Sequence, residues 1–293
     1  MSPYDFMMEY RAMDVRLIDG TVLYGIDVHE YRNAKDYYTN TDSISDDHDV
    51  DAGMGAFKKL KNAILKNGKK LGSKIYRCTF PLQSSGSGQG MSHTEDVALN
   101  KLEGCYAGKG SPEMTQTALR LAQAYGFIQP TATSMNQYVT KYMGIDCSGF
   151  VTNYLRQRGR DDMDPGQINS VAYRTLGTRI TSLDKVRGGD IMAWTDTNHV
   201  GVIDTEDFEV NHDEKKGVPP IVCDFVESTG ADATKGDKHS DGLMCTTYSI
   251  LSVGKNHVFQ VSRADGWEQA GLAWDKAQGH QRKQWNVLIN RIE

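Results

Sequence analysis

The segment "GIDCSGFVTNYLRQRG", residues 144 to 159, places Cys147 between Asp146 and Ser148 just ahead of a helical pattern. Phe150, Val151, Tyr154 and Leu155 recur at helical spacing and Gly159 closes the run, so Cys147 is expected at a helix N-terminus. Unpaired amide N–H groups and the positive end of the helix dipole favour thiolate over thiol there. That placement makes a nucleophile of a group whose ordinary pKa is about 8.5. A cysteine nucleophile needs a base, and "RGGDIMAWTDTNHVGVID" holds a histidine in a suitable setting. Gly188, Gly189 and Asp190 turn into one apolar strand, Thr195 to Asn198 connect it to another, and His199 opens that second strand. A histidine at a strand start projects beside the turn, and a neutral imidazole accepts a thiol proton near pH 7. His257 in "NHVFQV" also begins a strand-like run, but without a glycine-rich turn before it.

Competing chemistries find less support. The glycines of "QSSGSGQG" at 83 to 90 lack the Lys-Ser/Thr ending of a phosphate loop and read as a linker. The five cysteines are an odd number with no C-x-x-C pair, which argues against a disulfide scaffold and against a zinc site. Cys223 and Cys245 are the pair considered for a bridge under oxidising conditions. No metal or organic cofactor is expected. A net charge of −5 argues against a nucleic-acid partner, because phosphate binding needs a basic excess. No run is long and apolar enough for a transmembrane segment. Asp5, Glu9, Arg11, Asp14 and Arg16 interrupt any apolar signal-peptide core near the start.

The elements that must position Cys147 and His199 follow from periodicity. Ser111 and Pro112 cap a helix with Ala118, Leu121, Ala122 and Tyr125 on one face. After the cysteine helix, "RGGDIMAW", "HVGVID" and "IVCDFVEST" read as strands, and helices followed by strands give an α+β class. Upstream, "VRLIDGTVLYGIDV" predicts a hairpin around Asp19-Gly20, and Phe57, Leu60 and Ile64 mark a lysine-rich helix. The expected division is an accessory region at 1–105, for substrate binding or targeting, and a catalytic domain at 106–293 with a C-terminal extension.

"DCSGFV", then "RGGDIMAW", then "HVGVI" resemble, in that order, three segments of the NlpC-type papain-fold cysteine peptidases and amidases of bacterial cell-wall hydrolysis. The resemblance covers roughly residues 111 to 230. It implies a papain-like fold, with the cysteine helix packed on an antiparallel sheet. It also implies Cys147 as nucleophile and His199 as general base, with a third group on the following strand to orient the imidazole. "DFVEST" puts Glu227 there, where the family more often has histidine or an amide. Strand alternation sets Ile221, Cys223, Phe225 and Glu227 on one face and Ser228 on the other, and Glu227 is the favoured member of the pair. Tyr138 and Tyr142 both match loosely the tyrosine that assists such sites.

The activity implied is cleavage of an amide bond in peptidoglycan stem peptides, as endopeptidase or amidase. An antibacterial effector or phage-associated lysin fits that activity. The partners would be the stem peptide, a secretion apparatus and an inhibitor or immunity protein. The chain would be made in the cytoplasm without a signal peptide and reach the wall, in the periplasm or outside the cell, by non-classical delivery. The alternatives are a cysteine deamidase or acyltransferase acting on other amides, and a non-catalytic wall-binding protein that keeps the fold.

Overall fold

The computed structural model describes residues 1–32, 48–81, 92–204, 221–230, 242–263 and 284–293. The glycine-rich segment at 83 to 90, the loop at 231 to 240, Trp267 and Trp274 lie outside the described residues. The described helices are α1 (Pro3–Arg11), α2 (His48–Asn67), α3 (Leu99–Tyr106), α4 (Pro112–Ala124), α5 (Ala132–Tyr142) and α6 (Cys147–Gln157). The strands are β1 (Met13–Arg16), β2 (Val22–Ile26), β3 (Lys69–Gly72), β4 (Ile75–Pro81), β5 (Ser92–Ala98), β6 (Thr178–Arg179), β7 (Ile191–Trp194), β8 (Val200–Ile203), β9 (Ile221–Thr229), β10 (Gly242–Val253), β11 (Phe259–Arg263) and β12 (Gln284–Arg291). The chain divides into two compact units. One comprises Met1–Met7, Cys147–Thr229 and Met244–Glu293; the other comprises Met8–Asp146 and Gly230–Leu243. Helix α4, grouped by sequence pattern with the cysteine segment, belongs to the second unit.

The first unit is built on a closed, six-stranded antiparallel barrel, β7 to β12 in chain order. This corrects the expected papain-like arrangement of one helix on a single sheet. The last strand overturns it: Val287 of β12 lies opposite Trp194 of β7 on one side and Phe259 of β11 on the other. Each strand therefore pairs with its chain neighbours, and β12 closes the ring. An even number of strands lets such a meander close with every pair antiparallel, and closure leaves no open edge in the ring. The short β6 adds to the end of β12 through Arg179 and Asn290.

Strand alternation fills the barrel. Met192, Trp194, Ile203, Ile221, Cys223, Phe225, Tyr248, Ile250, Phe259, Val261, Val287 and Ile289 form one buried cluster. Ile191, Ala193, Val200 and Val202, on the opposite faces of β7 and β8, are buried as well. Burial on both faces explains why these strands read as continuous apolar runs. Helix α6 packs on β8 and β9, and Phe6 packs its ring 5.6 Å from that of Phe150. Gly201 makes room inside: a Cβ there would sit 2.3 Å from Cζ of Phe225. Gly201→Ala should overpack this layer and cost about 1–3 kcal/mol in a denaturant titration. An unchanged midpoint would show that the Phe225 ring can move aside.

The Gly188-Gly189-Asp190 turn has its own anchor. The Asp190 carboxylate accepts from Arg291 Nε at 2.8 Å, from Arg291 Nη2 at 3.0 Å and from the Arg187 amide at 2.9 Å. Asp190 is buried, and burial pushes its carboxyl above the usual range in spite of those donors. It thereby ties β7 to the last strand of the barrel.

The second unit contains the hairpin β1–β2, the three-stranded sheet β3–β4–β5 and helices α2 to α5. Ser111 caps α4 by accepting from the Met114 amide, and Thr131 caps α5 by accepting from the Ser134 amide, as short hydroxyl side chains do at helix starts. Asp146 is buried, and its two carboxylate oxygens lie 2.8 and 2.6 Å from the equally buried ammonium of Lys109. Among the described residues no helix is long and apolar enough to cross a membrane.

Candidate active site

Cys147 begins α6, where an α-helix has no preceding turn to accept its first amide N–H groups. Its side chain is buried with 5% exposure, and Sγ lies 3.9 Å from the Asn198 carbonyl oxygen in the β7–β8 turn. That turn is held from outside. Arg174 donates to the carbonyls of Trp194 and Thr197, both at 2.8 Å, and Thr195 donates its amide to Asn286 of β12 at 2.9 Å.

His199 follows directly, in phase with the inward-facing Gly201 and Ile203 of β8. Its Nε2 lies 2.6 Å from Glu227 Oε2, and Cys147 is near enough to act on the charge of the ring. With Nε2 engaged by the carboxylate, Nδ1 is the nitrogen left for sulfur. Trp194 presents its ring to the imidazole in a T-shaped contact with centroids 4.7 Å apart.

Glu227 continues the inward face of Ile221, Cys223 and Phe225 to the end of the barrel, with 2% exposure. Its second oxygen, Oε1, accepts from Thr246 Oγ1 at 2.8 Å and from the Tyr248 hydroxyl at 3.3 Å. Ser228 is fully buried on the opposite face of the strand.

The charges are coupled. Burial by itself would lower the His199 pKa, but hydrogen bonds to Cys147 and Glu227 and the negative charge beside the ring outweigh it and lift the imidazole to about 10. Burial would raise the Glu227 carboxyl, but the His199 and Thr246 hydrogen bonds and the positive charges of His199 and Arg263 hold it below its ordinary value. The carboxylate of Glu227 and the imidazole of His199 thus each favour the charged form of the other, with Cys147 beside the ring.

The geometry gathers Cys147, His199 and Glu227 within one unit. His257 lies exposed in the turn between β10 and β11 with φ of 57°. Tyr138 and Tyr142 belong to the other unit, where the Tyr138 hydroxyl lies 3.0 Å from that of Tyr106 and its ring 4.8 Å from that of Tyr142. Cys223 and Cys245 are both free. Cys223 faces the barrel interior, whereas Cys245 is out of phase with the inward Thr246 and Tyr248, so the two thiols point to opposite sides of the wall.

Trp194, Thr246 and Tyr248 escape the sequence reading. The signal was present in "GLMCTTYSILSV", where Thr246 and Tyr248 share an alternating face with Met244 and Ile250: two hydroxyls in an apolar row. Among the described residues there is no group of three or more His, Cys, Asp and Glu side chains that could hold a metal ion. Comparison with known protein families, with curated proteins and with solved structures finds no match to this chain.

Proposed function

We propose that this chain is a cysteine hydrolase that cleaves an amide bond, with Cys147 as nucleophile, His199 as base and acid, and Glu227 as the group that orients and charges the imidazole. The single observation that carries this reading is the imidazole of His199 held by a buried carboxylate, with the thiol at the start of α6 lying 3.9 Å from the carbonyl of Asn198, the residue before His199. His199 takes the proton of Cys147 as the sulfur attacks the carbonyl carbon, and the developing oxyanion takes the Cys147 amide N–H as a donor. The imidazolium then protonates the departing amine. The resulting thioester is hydrolysed by a water that His199 deprotonates, and the thiol is restored.

The substrate class proposed is the peptidoglycan stem peptide, on the order and wording of the three motifs at Cys147, Asp190 and His199. The test is digestion of purified peptidoglycan followed by mass spectrometry. Wild type should release fragments with a new amine and a new carboxyl group, and Cys147→Ala should release none. Directed to a Gram-negative periplasm, wild type should cause rounding and lysis that the Cys147→Ala form does not. Binding to sacculi with no new products would favour a wall-binding protein. Products absent from peptidoglycan but present with amide-bearing proteins would favour the deamidase or acyltransferase.

A further inference from the structure

We propose, on the cysteine-hydrolase reading above, that Thr246 and Tyr248 are positioning residues that hold the Glu227 carboxylate in the plane His199 needs, so that β10 supplies a fourth and a fifth member of the site. A glutamate has a long side chain whose terminal torsion is broad, so one hydrogen bond to imidazole leaves the carboxylate free to turn about its own axis. The second oxygen must be pinned as well. Thr246 Oγ1 at 2.8 Å and the Tyr248 hydroxyl at 3.3 Å both donate to Oε1, while Oε2 faces His199 at 2.6 Å. Both hydroxyls come from one strand, two residues apart, which puts them on the same inward face.

The Tyr248 hydroxyl is itself immobilised. Its ring packs edge-on against Phe225 at 5.2 Å, Trp194 at 5.7 Å and Trp285 at 6.2 Å. Trp194 also contacts the His199 ring, so His199, Glu227, Tyr248 and Trp194 form a closed ring of contacts. The ring fixes acid and base relative to each other. A hydroxyl that merely satisfied a buried carboxylate would need no such bracing on the side of the imidazole.

Glu227 is faced by His199 at the head of β8, with Cys147 of α6 beyond it, and by the charge of Arg263 on β11; Cys245, on the outer side of β10, feels the Glu227 charge from there. Removing the hydroxyl donors leaves those groups in place and raises the proton affinity of the carboxylate alone. As pH falls, Glu227 should then take up a proton earlier, and the imidazole should lose its charged partner at higher pH.

The test compares Thr246→Val, Tyr248→Phe, the double variant and Thr246→Ser, all close in shape to the native side chains. Iodoacetamide modification of Cys147 is followed by peptide mass spectrometry across pH, which requires no substrate, and turnover is measured in parallel. Each hydroxyl loss should move the acid limb of Cys147 modification up by about one pH unit and lower kcat about tenfold, with KM little changed. Thr246→Ser should restore both. An unmoved acid limb in the double variant, with a fast wild-type reaction, overturns the positioning role alone. A Cys147 that reacts in wild type no faster than a free thiol overturns the cysteine-hydrolase reading and the positioning role together. Fast modification with shifted variants but no peptidoglycan products leaves the positioning role standing and removes only the proposed substrate.

Discussion

Replacing Cys147 with alanine should abolish hydrolysis, by a factor on the order of 10⁴ or more, and His199→Ala should cost nearly as much because the two act as a unit. Neither change should unfold the chain, as circular dichroism would show: Cys147 is at the first turn of α6 and His199 at the end of the barrel. The same site predicts selective modification. Burial pushes the Cys105 and Cys223 thiols up to about 12 and raises that of Cys78. Cys245 is exposed, yet its thiol is also held at about 12, by desolvation and then by the carboxylates of Asp224 and Asp204. Iodoacetamide at neutral pH should therefore label Cys147 first, with loss of activity in step. Equal labelling of Cys147 and Cys245, or turnover retained by either alanine variant, would remove Cys147 from the mechanism.

Glu227→Gln should have the second largest effect. The amide keeps the shape but loses the charge, so turnover should fall by about 10–100-fold, the scale of a charge-assisted hydrogen bond. The pH dependence follows from the directions of the shifts. His199 is raised, so its contribution to stability and to the ion pair is complete below about 6.5 and is lost as pH rises through about 10. Glu227 is depressed, so its contribution is complete above about 4.5 and is lost as pH falls through its lowered value. In Glu227→Gln the alkaline limb of kcat should move down toward the ordinary histidine range and the acid-side loss of Glu227 should vanish. Ser228→Ala should change turnover little, because Ser228 lies on the other face of β9. An alkaline limb unmoved in Glu227→Gln would mean that the carboxylate does not set the imidazole.

Local pattern was enough for the elements that carry Cys147, His199 and Glu227. The helical repeat of Phe150, Val151, Tyr154 and Leu155 placed Cys147 at the start of α6, and apolar runs marked β7, β8 and β9. Alternation along β9 separated Glu227 from Ser228, because the side-chain period of a strand is a local property. Whether an apolar strand face meets a helix or the interior of a barrel is not local. The sequence therefore determined that β7, β8 and β9 are strands and which face of β9 carries Glu227. Only the tertiary structure decided that β10, β11 and β12 pair onward until β12 returns to β7. Closure depends on contacts between residues almost one hundred positions apart, such as Trp194 with Val287, which no window of periodicity spans. Pairing of β9 with β10 sets Thr246 and Tyr248 on the Glu227 carboxylate, and packing inside the barrel sets Trp194 against Tyr248, so the support of the site, unlike its nucleophile and base, is a product of the barrel.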